Sequence, residues 1–411
     1  MTHLRTMTSL ALACLVCTLA CGSSSDQEHP GSGGSTGAAG SSGGPLYAVS
    51  ADTFSADFSN RTSLLWLVSD LNGGSVDLGS AVQLAGGATI WGVPGTGAFY
   101  VVSTEALTVS KYNVTGGMPV QVGGSIGLAG AGVTALVTPQ MIFNGASRAF
   151  FIDVASAQAL ELNLDTMSII RSVDLSSAVF DSTQLTNLGQ RFIQRGDKLV
   201  TTVFSTSPTY DRVYGTSKLL FFDPTDGSFQ TKNVTCGGLQ YVVATSNGDM
   251  FFSSDPYVAS IYLVDPAHNP APCIVRLPAN ADEPDTTVVA LNDLTGAPTG
   301  GLIAGSNDTA FLRVLDPTVY TPSSTATYMD AFSAPAWRTW SIHLGGSIAA
   351  EPTDRAPVAG GIKTFTVDAD TYENASAADF SSTTLIRTTG AGAPAAGLKM
   401  PGVIWSIVRV R

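Results

Sequence analysis

Charge is scarce in this sequence. Only 13% of its 411 residues are Asp, Glu, Lys or Arg, too few to cover the wet faces of long helices, which excludes a mainly helical fold. Histidine is nearly absent: of four, His3 and His29 lie in an N-terminal region without globular character, leaving His268 and His343. A zinc site needs three or four clustered ligands, and no such spacing exists. Lys and Arg form no cluster and the net charge is -12, a balance that repels phosphate backbones and excludes nucleic acid as a partner. No apolar run is long enough to span a bilayer as a helix. A Gly-x-Ser-x-Gly elbow, a phosphate loop and a dinucleotide fingerprint in strand–turn–helix context are all missing, so no cofactor is implied. Catalysis by residues scattered over a repeating fold is not thereby excluded.

What the chain does contain is β-forming sequence punctuated by turns, with 43 Gly and 21 Pro. A short phrase recurs, a hydrophobic stretch ending in Asp and then a turn: Phe221-Phe222-Asp223-Pro224, Leu263-Val264-Asp265-Pro266 and Val314-Leu315-Asp316-Pro317. Weaker copies end at Asp70, Thr115, Asp165 and Asp368, so successive anchors lie 45, 50, 58, 42, 51 and 52 residues apart. Units of that length, each rich in short strands, mark a radial β array. The sequence therefore predicts an all-β fold, a seven-bladed β-propeller, with six or eight blades also compatible with the spacing.

Each unit reads as four strands. The first complete one covers 89–93, 98–103, 108–114 and 120–128, and further units run over 132–178, 185–236, 238–278, 286–330 and 336–389. The Asp-terminated phrase is placed on the third strand. Asp before Pro suits a β-turn, because the carboxylate can accept from the backbone two residues on while Pro fixes φ at the next position. Only Asp368-Ala369-Asp370 with Glu373 hints at a calcium loop. Segments 46–54, 63–69 and 81–85 form three strands without an inner partner, and 402–411 one strand without a unit. Joined, they complete a blade and close the ring, which removes two free sheet edges.

The N-terminus carries an address. Arg5 precedes a 14-residue apolar stretch, 7–20, of signal-peptide length. It ends in Leu19-Ala20-Cys21-Gly22, which resembles a bacterial lipobox, so Cys21 is the expected acylated residue. An ordinary signal cleaved nearby, with Cys21 incidental, is the alternative. Residues 22–44 are almost all Ser, Gly, Ala and Thr, a flexible tether with a reach of roughly 25–30 Å. The expected organisation is a signal over 1–20, a tether over 21–44 and a propeller over 45–411. The lipid bilayer is then a partner through Cys21, and the location is the bacterial cell envelope.

Two further constellations stand out. Cys236 and Cys273 are the thiols left in the folded part; both fall on or just after the fourth strand of adjacent units, and an exported protein can join them in a disulfide or keep them as buried thiols. Ile90-Trp91-Gly92-Val93, Thr339-Trp340-Ser341-Ile342 and Ile404-Trp405-Ser406-Ile407 echo one another. If all three are inner strands, Trp91, Trp340 and Trp405, with Arg338 and Arg409, form an aromatic and cationic patch for a planar or anionic ligand at the channel mouth. The alternative is inter-blade packing.

Taken together, Leu46-Tyr47-Ala48-Val49-Ser50, Val68-Ser69-Asp70-Leu71, the segment 105–113, Arg148-Ala149-Phe150-Phe151-Ile152-Asp153 and Leu164-Asp165-Thr166-Met167 resemble the myxobacterial lipoproteins described as iron-transport regulators of the myxochelin cluster. The resemblance implies an envelope propeller linked to siderophore-dependent iron uptake, with a siderophore or an envelope protein as partner. It carries over no catalytic residues. The expected function is non-catalytic binding; the competing expectation is a lactonase-like propeller hydrolase with a channel metal.

Overall fold

Seven antiparallel sheets stand around a common axis in the computed structural model, which describes residues 44–411 apart from 56–59, 94–95, 137–138, 347 and 378. The expected signal, Cys21 and nearly all of the tether lie outside the described residues. Numbered along the chain, blade 1 orders its strands from the axis outwards as Val403–Arg409, Tyr47–Phe54, Arg61–Val68 and Val82–Gln83. Blade 2 comprises Ala88–Gly92, Ala98–Ser103, Thr108–Thr115 and Met118–Gly127; blade 3, Gln140–Asn144, Arg148–Asp153, Gln158–Asn163 and Ser168–Asp174. Blade 4 comprises Leu185–Leu188, Lys198–Thr206, Ser217–Phe222 and Phe229–Val234, with Ile193–Arg195 as an extra short strand. Blade 5 comprises Leu239–Ala244, Met250–Ser254, Cys273–Leu277 and Val289–Ala290; blade 6, Thr299–Ala304, Thr309–Leu315, Trp337–His343 and Ala349–Pro352. Blade 7 comprises Thr364–Val367, Asp370–Ser376, Ser382–Arg387 and Ala395–Pro401.

Blade 1 is the clasp expected from the two unmatched ends. Tyr47 pairs with Arg409 and Asp52 with Val403, so the last strand of the chain becomes the innermost strand of the first blade. Middle strands in several blades are buried on both faces and read as continuous apolar runs, Phe150-Phe151-Ile152 and Leu219-Leu220-Phe221-Phe222 among them. Outer strands such as Ser168–Asp174 alternate and face solvent. Six apolar clusters each straddle one seam between neighbouring blades, from Ala48, Leu65, Ile90 and Phe99 between blades 1 and 2 to Trp66, Phe365 and Met400 between blades 7 and 1. The seam between blades 6 and 7 is built differently. There the fully buried Arg313 meets Glu373.

The Asp-terminated phrase contributes one anchor to every blade, but on the third strand only in blades 1 to 4. In blade 5 the segment Leu263-Val264-Asp265 closes helix α1 (Pro256–Val264), inserted between the second and third strands. Two shorter helices follow, α2 (Leu291–Thr295) and α3 (Tyr328–Ser333). The insertion displaces the strand count by one, and α3 with the loop before it, where a fourth strand was counted, displaces it by one more. The expected unit 286–330 therefore begins on the outer strand of blade 5, Asp316 follows the second strand of blade 6, and Asp368 follows the inner strand of blade 7. Periodicity could not expose this, because Pro256-Tyr257-Val258-Ala259-Ser260-Ile261 is apolar enough to read as a strand, and its helical start rests on one residue. Asp255 caps the helix by accepting from the Tyr257 amide at 2.6 Å. Elsewhere the anchors close turns: Asp70, Asp223 and Asp316 each accept from the amide two residues on, at 2.8 Å.

Candidate functional site: the channel mouth

The inner strands of blades 4 and 7 are not neighbours, yet side chains connect them. Past the inner strand of blade 4, Gln190 donates through Nε2 to the Ile362 carbonyl at 2.9 Å and accepts from Thr364 Oγ1 at 3.2 Å. Arg191 bonds Thr366 Oγ1 and, at 2.8 Å, the Val242 carbonyl of blade 5. These contacts cross the channel and fix its width. Arg191 has no carboxylate paired with it among the described residues, and burial brings its pKa down to about 10.

Around the crossing lies a network drawn from blades 5, 6 and 7. Tyr241, on the inner strand of blade 5, donates to Asp255 Oδ2 at 2.8 Å, with the Ile362 carbonyl 3.1 Å away as its second acceptor. Asp255 is buried at the end of its strand, and burial pushes its carboxyl up to about 6. This approach is possible because the inner strand of blade 6 carries Gly300 and Gly301. A Cβ on Gly300 would lie 2.5 Å from the Pro256 nitrogen, and Gly301 has φ +79°.

Arg313, 1% exposed, pairs with Glu373, 2% exposed. Its other amine donates to Thr339 Oγ1 at 2.5 Å. Arg355 reaches the second carboxylate oxygen of Glu373 at 3.3 Å, and its other terminal nitrogen is buried without a hydrogen-bond partner. One carboxylate thus serves two guanidinium groups.

Blade 1 completes the mouth. Arg61 donates to Asp52 Oδ2 at 2.6 Å and Ser63 to Oδ1 at 2.6 Å. Burial pushes the Asp52 carboxyl up from the usual range, and Arg61 and Ser63 pull it part of the way back. The Arg61 guanidinium lies 5.6 Å from the centre of the Trp405 ring and the Lys363 ammonium 5.2 Å from it, both within cation–π range. Lys363 directly precedes the inner strand of blade 7, and its backbone is pinned by the Asn374 side chain at 2.9 Å. Burial lowers its pKa to about 8.

The residues singled out in the sequence are only partly gathered. Trp91 and Trp405 stand on inner strands of adjacent blades. Trp340 does not join them: it sits on the third strand of blade 6 and packs into the seam with blade 5. Arg338, on that same strand, is bound to Asp316. Arg409 lies at the far end of its strand, 2.8 Å from Asp368. The five-residue patch is therefore corrected to Trp405 with cations from elsewhere, Lys363 and Arg61. The calcium hint also dissolves, since Asp368 is taken by Arg409 and Glu373 by Arg313. Among the described residues no group of three or more His, Cys, Asp or Glu could hold a metal ion. His268 sits in an exposed turn against Asp265, and His343 is exposed where it pairs with Thr309. Cys236 and Cys273 form a disulfide with Cα atoms 5.9 Å apart, and Cys273 starts the third, not the fourth, strand of blade 5.

Sequence reasoning missed Lys363, Arg313, Glu373, Tyr241, Asp255 and Gln190. A signal existed for two of them: Arg313 and Glu373 interrupt strand sequences in a chain where charge is rare, and a charge inside a buried strand needs a partner.

No protein-family model matches the chain, and no curated protein is similar to it in sequence. Solved structures are similar in shape. A putative 6-phosphogluconolactonase from Bacteroides fragilis matches over 90% of this chain and 99% of its own at 8% identity, with a TM-score of 0.52. One from Bacteroides uniformis matches over 88% and 98% at 10% identity and a TM-score of 0.46. AztD from Citrobacter koseri matches over 89% and 98% at 11% identity and a TM-score of 0.40. The likeness is one of fold.

Proposed function

We propose that this chain is a non-catalytic binding propeller, held at the bacterial cell envelope by acylated Cys21 and working in siderophore-dependent iron uptake. The observation that carries the binding role is the channel mouth, where Trp405, Lys363 and Arg61 remain partly exposed while Gln190 and Arg191 fix the opposite wall. An accessible aromatic face with a few fixed polar groups beside it is what recognition of a small molecule requires. The envelope and iron parts of the proposal rest on the lipobox, the tether and the family resemblance. Metabolic labelling with a radioactive fatty acid tests the anchor: label in the wild type and none in Cys21→Ala is expected. Titration with ferric siderophores, read by tryptophan fluorescence, tests the ligand; absence of any quench at micromolar protein would sink the iron link.

A hydrolase is the second reading, favoured by one observation. Asp255, a buried carboxylate with a pKa of about 6 beside the Tyr241 hydroxyl, has the properties of a general base. A channel metal does not fit this mouth, because Asp52, Asp255 and Glu373 each answer to a separate Arg or Tyr partner rather than to a common point. Lactone hydrolysis by purified protein that is lost in Asp255→Asn would establish the second reading; no turnover is expected.

A further inference from the structure

The protein is acidic overall, yet its channel mouth is not. Arg61, Arg191 and Lys363 stand there with Asp52 and Asp255, and Arg313 and Arg355 with Glu373 lie behind them in the seam between blades 6 and 7. Arg61 is matched by Asp52 and Arg313 by Glu373, while Arg355 takes what remains of Glu373. Asp255 spends its oxygens on Tyr241 and on the Tyr257 amide, and neutralises no cation by contact. Arg191 and Lys363 are left over, and Arg191 is at least hydrogen-bonded to Thr366 and to the Val242 carbonyl. The Lys363 ammonium has neither a hydrogen-bond nor a carboxylate partner among the described residues, and it stands over the ring of Trp405, both residues partly exposed.

An ammonium group half withdrawn from water loses hydration, and a cation–π contact replaces only part of it. The depressed pKa of Lys363 reports that deficit. A buried nitrogen of Arg355 lacks an acceptor as well. Arg355 lies in the seam with blade 6, so on the blade 1 side of blade 7 Lys363 is the cationic donor in need of an oxyanion.

We infer that the channel mouth binds a small ligand through an oxyanion, a carboxylate or a phosphate, with Lys363 as its principal contact. The inference rests on the reading of the mouth as a ligand site, and it names the chemical class of that ligand. Trp405 supplies the wall beneath the ammonium, and the surplus positive field of the mouth draws the anion in against the acidic surface of the rest of the molecule.

The test is calorimetric titration of the folded protein with inorganic phosphate and, separately, with citrate; the two arms distinguish a phosphate from a carboxylate ligand. Binding of at least one anion is expected, weakened about tenfold or more in Lys363→Gln and restored in Lys363→Arg, as expected for a charge-assisted contact. Lys232→Gln, which removes an outer-strand lysine paired with Glu283, leaves it unchanged. In case Lys363→Gln does not fold, the wild type is acetylated under limiting reagent and the modified lysines are quantified by peptide mass spectrometry, where the bound anion slows labelling of Lys363 but not of Lys232. Binding that survives Lys363→Gln, equal labelling with and without anion, or no binding of either anion overturns the inference. A failed siderophore titration with intact phosphate or citrate binding would remove the iron role alone.

Discussion

Glu373→Gln is the most informative single perturbation of the fold, because one carboxylate holds together a seam where other blades use apolar clusters. The substitution keeps the shape and the acceptor oxygen but removes the charge, leaving Arg313 buried without a counter-ion and Arg355 without its carboxylate. Breaking a buried pair by removing one partner costs about 3–5 kcal/mol. With roughly 360 described residues and an unfolding entropy of about 2.1 cal/mol/K per residue, 1 kcal/mol corresponds to a little over 1 °C, so melting should fall by about 4–7 °C. Differential scanning calorimetry reads this directly. The double variant Arg313→Met/Glu373→Leu replaces the pair by apolar volume and should melt above the single variant, since the buried charge leaves with its partner. Arg355 can turn to solvent. A shift below about 1 °C in Glu373→Gln, or a double variant at least as unstable as the two single losses combined, would refute the claim that the ion pair holds this seam.

Three further outcomes follow from the same structure. Asp255 has a folded pKa of about 6 against an ordinary 3.8; raised by burial, it favours folding below pH 3.8 and loses that contribution as pH rises through 6. Above pH 6 its buried charge costs up to about 3 kcal/mol, so Asp255→Asn should raise the denaturation midpoint at pH 8 and leave it nearly unchanged at pH 4. Replacing Cys236 and Cys273 by Ser opens a loop of sequence separation 37, for which chain entropy predicts a loss of about 4 kcal/mol; wild type in reducing agent should melt at the same lowered temperature. Deleting residues 402–411 removes the inner strand of blade 1 and bares the edge of Tyr47–Phe54, so the truncated chain should aggregate on size-exclusion chromatography, whereas a monomer of native melting temperature would contradict the clasp.

The architecture was legible because a propeller repeats its local rules. Alternation, Asp-closed turns and two unmatched ends were enough to count seven blades and to join residues 47–54 with 403–409. The site was legible only in outline. Trp405 could be seen as an inner-strand aromatic, but its cations come from Lys363 and Arg61, which lie 42 residues before it in blade 7 and far back in blade 1. Ring closure brings these together, and no local spacing encodes it. The misplacement of Trp340 has two causes: the helix begun by Asp255 and Pro256 consumed the residues counted as a third strand, and the loop and helix after Asp316 stood where a fourth was counted. The first of these insertions delivers Asp255 to Tyr241, so the departure from the repeat and the chemistry of the mouth coincide.

The account stands on a ligand meeting Trp405 at the channel mouth. Fluorescence titration with ferric siderophores, run in parallel on the wild type and on Trp405→Phe, measures this most directly. A saturable quench in the wild type that is largely lost in Trp405→Phe is predicted. No quench, or the same quench in both proteins, would contradict it.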